Sequence, residues 1–365
     1  MSVRADPYPG RQLRERFVAE RDPRGMRRMT SREYLRQRLL SRRQLNGLAM
    51  TGSWLGLAAA MLGPPSRASA LEAVTSTAST GARRTVKFRD GAVVSALGQG
   101  SAQLAQGRHP QAVEEEALRT GLSLGMTLID TAELYGDGRS EEFIGRVIAG
   151  QRDSVFLVSK VWQSHATRRG IARACEASLA RLGTDHLDLY LLHWPSGVTD
   201  LAGVVAAFEN LRSQGKIRAW GVSNFKLKDM EAMLRIPHGD RCATNQVLYN
   251  IASRDIERDL LPWCERHNMP VMAYSPLGGP GSGLLRDPTL AAIGEAHGCS
   301  AAAVALAWSI RSGNVIAIPE SGSPAHVREN SVALSLVLTP QELQTLDRVH
   351  PPERAVPSSF ALPWP

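Results

Sequence analysis

The stretches TLIDTAELYGDG (127–138), VFLVSKVW (155–162) and LDLYLLHWP (187–195) decide how this chain folds. Each opens on a short apolar run (TLID, VFLVSK or LDLYLLH) with the length and Val, Ile, Leu and Tyr content of a strand buried on both faces of a parallel sheet. The runs end on Asp130, Lys160 and His193, and Tyr135 lies five positions beyond the first. In a parallel barrel the C-terminal strand ends meet at one mouth, where such enzymes hold their chemistry. Taken singly, each residue has an ordinary reading: Asp130 a strand-end cap, Tyr135 a rim residue, Lys160 solvated, His193 a core histidine. Three consecutive strand ends bearing a carboxylate, an ammonium and an imidazole, with a phenol close by, point instead to a proton-donating site. The chain reads as an enzyme.

The chemistry expected of the four follows from their acid–base properties. A phenol with its normal pKa of ~10 is a poor acid at neutral pH. A charged lysine beside it stabilises the phenolate and lowers that value. Asp130 can hold Lys160 charged and in place, and His193 can orient a carbonyl oxygen toward Tyr135. Together they can protonate a carbonyl oxygen while its carbon receives hydride.

Outward from these segments, strand-like runs alternate with helical patterns over about 84–349, a length that suits one barrel of ~250 residues. A hairpin, VKFRDGAVV with its Asp90-Gly91 turn, opens the series. Strands are expected near 94–97, 127–130, 155–160, 186–193, 217–222, 242–247, 270–274 and 315–318. Helical stretches such as PQAVEEEALRTGLSLG and GIARACEASLARLG fall between them and end in glycine. The expected fold is α/β: a (β/α)8 TIM barrel over 84–350 with an N-terminal β-hairpin cap, and a short tail over 351–365.

DTAELYG, LVSKVW, LLHWP, GVSNF, TNQVLYN, AYSPLG and the stretch Ile318 to Asn330 resemble, in that order and spacing, the aldo-keto reductases. The resemblance runs from about Thr85 to about His350 and is strongest to the small bacterial reductases associated with methylglyoxal and diketogulonate. It implies a hairpin that plugs the barrel floor and hydride transfer from a nicotinamide. Tyr135 would be the acid, Lys160 and Asp130 would tune it, and His193 would orient the substrate. Ser223, Asn224 and Gln246 would hold the nicotinamide amide, with Tyr274 stacked on its ring. Ser275, Leu277, Ile318, Glu320, Ser321 and His326 would line the rest of the nucleotide site, and Glu329 and Asn330 would meet the adenine. Trp162 and Trp194 would line the substrate pocket, although tryptophans at strand ends serve packing equally well.

The cofactor stays open between NADP and NAD. The usual dinucleotide fingerprint is missing: Gly98 and Gly100 give GQG, but Gln103 stands where a third glycine belongs. GGPGSG (278–283) reads either as a flexible linker or as a loop over the pyrophosphate. The segment SPAHVREN opens a helix whose amides can receive phosphate. Relatives that favour NADP carry lysine at Glu320 and arginine at His326. A carboxylate there repels a 2′-phosphate and accepts a bond from a free 2′-hydroxyl, which weighs toward NADH.

Residues 1–70 read differently. SRRQLNGLAMTGSWLGLAAAMLGPPSRASA (41–70) reads as a twin-arginine export signal: Arg42 and Arg43 after a serine, a weakly apolar stretch over about 45–63, and Ala68-Ser69-Ala70 for cleavage. Asn46, Thr51 and Ser53 make that stretch a poor membrane span, so no stable insertion is expected after cleavage, an uncleaved anchor being the alternative. The long lead-in leaves Met26 or Met29 as possible starts. Residues 71–83 read as a linker, the partner as the twin-arginine machinery, and the destination as the periplasm.

Residues 1–70 hold 14 arginines, no lysine and five acids, so the remainder carries 29 basic and 30 acidic residues. The overall charge of +8 therefore belongs to the leader and gives no reason to expect a nucleic-acid partner. Cys175, Cys242, Cys264 and Cys299 lack metal-ligand spacing; pairing in an oxidising compartment stays open, and the resemblance, to barrels that fold without disulfides, implies buried free thiols. Expected function is reduction of small aldehydes, α-dicarbonyls or keto-sugars. The alternatives are an exported alcohol or sugar dehydrogenase, or a non-catalytic nicotinamide-binding sensor.

Overall fold

The computed structural model describes residues 83–279 and 281–352; the leader, nearly all of the linker and most of the tail lie outside them. Within this range a hairpin of β1 (Thr85–Lys87) and β2 (Val93–Ser95) precedes eight parallel strands. These are β3 (Gln99–Gly100), β4 (Leu128–Asp130), β5 (Phe156–Val161), β6 (Leu187–Leu192), β7 (Ile217–Ser223), β8 (Asn245–Leu248), β9 (Val271–Tyr274) and β10 (Val315–Ala317). They hydrogen-bond in chain order from β3 to β10. Parallel bridges Leu97–Ala317 and Gly100–Glu320 join the first strand to the last and close the cylinder. Leu187 to Leu192 are all buried, Asp188 among them, as suits a mostly apolar run with helices outside and packed side chains within.

Helices return the chain between strands. Arg168–Leu182 starts on the Thr167 hydroxyl, which accepts from Gly170 N at 3.0 Å, and stops at Gly183 in the left-handed region at φ 63°. Its inward stripe is Ile171, Ala174, Cys175, Ser178, Leu179 and Leu182, the spacing of one helical face. The hairpin caps the N-terminal ends of the strands: Val86, Phe88 and Val94 are buried, and Phe88 stacks on Phe156, the first residue of β5, at 5.4 Å.

One strand departs from the sequence expectation. The first barrel strand, expected at 94–97, is Gln99–Gly100, because Val94 and Ser95 pair with the hairpin. Ala96 is where the chain changes partner: its amide donates to Arg84 O at 3.0 Å and its carbonyl accepts from Ala317 N at 2.9 Å. The two glycines of GQG serve closure. A Cβ on Gly98 would lie 2.6 Å from Leu128 Cδ2, and one on Gly100 would lie 2.9 Å from Ile318 O.

Candidate active site

Asp130, Lys160 and His193 do converge at the C-terminal mouth, with Tyr135 beside them. Lys160 Nζ donates to Asp130 Oδ2 at 2.6 Å, to Thr131 O at 2.9 Å and to the Tyr135 hydroxyl at 3.2 Å. All four side chains are buried, and Lys160 is completely so. The His193 ring meets Tyr135 edge-on at 5.8 Å and Trp162 at 5.2 Å. Its Nδ1 is buried with no hydrogen-bond partner among the described residues. Of the two tryptophans expected at the pocket, Trp162 is thus the one packed on the histidine; Trp194 is half-buried.

The electrostatics differ in one respect from the sequence expectation. Lys160 was expected to lower the phenol's pKa, but burial, the Asp130 carboxylate and Glu320 push Tyr135 well above its ordinary value. The reason is the tight Lys160–Asp130 pair: Asp130 screens the lysine charge, so Lys160 offsets only part of the cost of a buried phenolate. Burial pulls the Lys160 ammonium down from its usual range, while Asp130 works against that. Burial and the nearby Lys160 charge hold His193 well below its usual value, hence neutral at physiological pH. The site therefore offers a protonated phenol beside an ammonium and a neutral imidazole. That set can give a proton to a carbonyl oxygen.

The neighbouring strand ends form a connected polar shell. Gln246 Nε2 donates to Asp130 Oδ1 at 2.7 Å. Ser223 Oγ donates to Gln246 O at 2.9 Å, and Asn224, left-handed at φ 62°, donates through Nδ2 to His193 O at 3.1 Å. The Tyr274 hydroxyl donates to Asn224 Oδ1 at 2.9 Å, while burial and the nearby Tyr135 raise its pKa to about 12. Ser275, left-handed at φ 49°, accepts at its carbonyl from Asn250 Nδ2 at 2.9 Å, and Leu277 is half-buried. These groups fit the carboxamide end of a nicotinamide nucleotide: hydroxyl and amide groups sit on adjoining strand ends, with a half-buried aromatic ring beside them.

The segment after β10 carries the remaining expected contacts. Ile318 is buried, Ser323 caps the helix Pro324–Ser331 by accepting from His326 N at 3.5 Å, and Ser321 is half-buried. His326 and Glu329 are exposed, whereas Asn330 is buried. Glu320 is not a bare carboxylate. Its Oε2 accepts from Gln103 N at 2.9 Å and its Oε1 from Arg108 Nη1 at 3.2 Å. The repulsion of a 2′-phosphate expected from Glu320 is therefore offset by a cation. Burial still raises this carboxyl above its ordinary value.

Two residues escaped the sequence reading. Glu133 Oε1 accepts from Trp162 N at 2.6 Å and contacts His165 Nδ1 at 3.0 Å, fixing the backbone that carries Trp162. Its place inside DTAELYG, three residues after Asp130, was the available signal. Arg108 lies in a loop that no periodicity singles out.

The aldo/keto reductase family model matches residues 96–351. The chain is 48% identical over 272 residues to methylglyoxal reductase YeaE of Escherichia coli (strain K12), covering 74% of this chain and 95% of that protein. Among solved structures it is similar to an aldo/keto reductase from Klebsiella pneumoniae in complex with NADP and acetate, at 49% identity and a TM-score of 0.71, covering 74% of this chain and 96% of that one. An aldo-keto reductase from the same organism in complex with NADPH gives 48% identity and a TM-score of 0.70 over the same shares.

Proposed function

Because this chain belongs to the aldo/keto reductase family, and is thereby an oxidoreductase, we propose that it reduces the carbonyl of small aldehydes, α-dicarbonyls or keto-sugars with NADPH, using Tyr135 as the general acid. The observation that carries this reading is the contact of Lys160 with both Asp130, at 2.6 Å, and the Tyr135 hydroxyl, at 3.2 Å, in a buried mouth.

Bound NADPH supplies the hydride. Tyr135 donates its proton to the carbonyl oxygen as negative charge develops there, and Lys160 stabilises the phenolate left behind. Asp130 keeps Lys160 charged and aimed. Neutral His193 holds the carbonyl oxygen against the phenol and, with Trp162, keeps water from it. Gln246, whose amide nitrogen is engaged with Asp130, has its carbonyl end to offer a carboxamide N–H. NADPH is favoured over NADH by the cation at Glu320 and by the nucleotides bound in the two Klebsiella pneumoniae structures. The intact set of four weighs against a non-catalytic sensor.

We further propose a place of action outside the cytoplasm, a reading supported by the Arg42-Arg43 pair, the weakly apolar stretch and Ala68-Ser69-Ala70, which match the pattern of a twin-arginine signal. The functional reading is tested by turnover of methylglyoxal and of a simple aldehyde with NADPH and NADH supplied separately. Faster turnover with NADPH is expected; no oxidation of either nucleotide would refute it.

A further inference from the structure

The loop after β3 lies directly against the segment after β10. The Gly100–Glu320 bridge sets the two backbones side by side. Two hydrogen bonds then tie the loop down, Gln103 N to Glu320 Oε2 and Arg108 Nη1 to Glu320 Oε1, and a third, Arg108 Nη1 to Gln103 Oε1 at 2.6 Å, braces the loop internally. His109 packs on the same segment from the next position, since a Cβ on Gly322 would come within 2.5 Å of its ring. The burial of the two charged partners is unequal. The Glu320 side chain is 22% exposed, and that of Arg108 is 55% exposed.

This inequality matters for an incoming anion. Glu320 presents its charge inward to the loop, and Arg108 stands between it and solvent. A guanidinium has five N–H donors, and both contacts of Arg108 run through Nη1. Nε and Nη2 are left to grip a phosphate in the two-pronged manner that arginine favours. The other arginine near this segment, Arg328, donates to Pro324 O at 3.1 Å within its own helix.

Resting on the NADPH reading above, we infer that Arg108 is the residue that recognises the 2′-phosphate of the nucleotide, with Glu320 as its anchor and not as a ligand. The cation comes from the loop after the first barrel strand, while the strand end beside the nucleotide carries the acid. Losing Arg108 has two effects on a 2′-phosphate: the donors vanish, and the Glu320 carboxylate is uncovered against a dianion. A nucleotide with a free 2′-hydroxyl loses no phosphate donor and meets no such repulsion.

The test is direct binding, read by quenching of intrinsic tryptophan fluorescence, of NADPH, NADH and adenosine 2′,5′-bisphosphate to the full-length protein. Arg108→Met should weaken NADPH and the bisphosphate at least about tenfold and leave NADH within about twofold. Adding Glu320→Gln to Arg108→Met should recover part of the NADPH loss, because it removes the uncovered charge. Equal weakening of NADPH and NADH would place Arg108 at the pyrophosphate or in loop support and overturn the inference. So would an unchanged NADPH affinity, or a wild type that prefers NADH. Wild type that binds NADPH through Arg108 yet turns over no carbonyl would instead sink the reductase reading and leave this one standing.

Discussion

Gln246 Nε2 donates to Asp130 Oδ1 across 2.7 Å, joining the second residue of β8 to the end of β4 on the far side of the mouth. The other oxygen of the same carboxylate holds Lys160. Asp130 is therefore shared between the nucleotide side of the site and the proton-donating side, and both of its oxygens have a donor. A carboxylate so placed sets the position of Lys160 and, through it, of the Tyr135 hydroxyl.

Asp130→Asn should be costly to the fold as well as to catalysis. It strips the counter-charge from a lysine that is fully buried, and breaking one side of a buried pair costs about 3–5 kcal/mol. Thermal unfolding is expected to shift down by several degrees, and adding Lys160→Met should recover part of the shift by removing the stranded charge. A loss below about 1 kcal/mol would mean that the pair is wet.

Tyr135→Phe removes the acid and little else. Nucleotide affinity should stay close to wild type, since the strand-end amides and hydroxyls remain. The turnover number should fall by about 10²–10⁴-fold. Retention of a tenth of wild-type turnover in steady-state assays would take Tyr135 out of the acid role.

The pH profile follows from the directions of the shifts. Tyr135 must be protonated to act, and its pKa is raised, so activity persists through neutral pH and is lost only on the alkaline side, above about 10. His193 must be neutral, and its pKa is depressed, so the acid limb lies below about 6.5. At saturating NADPH, kcat/KM against pH should show no inflection from His193 near neutrality, and any loss that begins below about 10 on the alkaline side belongs to the Lys160 ammonium, whose pKa is lowered by burial. A step near neutrality would contradict the burial of His193.

Glu133→Ala should loosen the wall of the pocket without touching the acid. Trp162 N loses a 2.6 Å acceptor, and the indole that packs on His193 is no longer fixed. KM for the carbonyl is expected to rise roughly fivefold or more, about 1 kcal/mol, with kcat within roughly threefold of wild type. Glu133→Gln keeps an acceptor and should restore KM. Failure of that rescue would show that the charge, and not the hydrogen bond, is what matters.

Replacing Arg42 and Arg43 by lysine should leave the protein unprocessed in the cytoplasm, whereas the wild type should yield a mature N-terminus near Leu71. Cell fractionation and N-terminal sequencing check this. Unprocessed wild-type chain confined to the cytoplasm would refute export.

The barrel was legible because β4, β5 and β6 are mostly apolar runs with a polar residue at or beside their C-terminal ends, as LDLYLLH shows. Asp130, Lys160 and His193 were legible for the same reason. The first strand was misplaced because Val94 and Ser95 satisfy a strand pattern whichever partner they take, and only Ala96 reveals where the partner changes. Glu133 and Arg108 act through contacts 29 and 212 positions away. Such contacts depend on the paths of loops, which hydrophobic periodicity does not encode. The upward shift of Tyr135 was missed because a lysine's influence depends on how completely its carboxylate neutralises it.

The seam that closes the cylinder joins Leu97 to Ala317 and Gly100 to Glu320, residues about 220 positions apart. Loop closure over such a span is entropically expensive and slow compared with the pairing of neighbouring strands. During synthesis β3 must wait for β10, which is the last strand to leave the ribosome. The Gln103–Glu320 and Arg108–Glu320 bonds cross the same seam. A nucleotide gripped by both sides would act as a rivet across the final joint, and a chain truncated before residue 315 would offer two bare sheet edges to its neighbours.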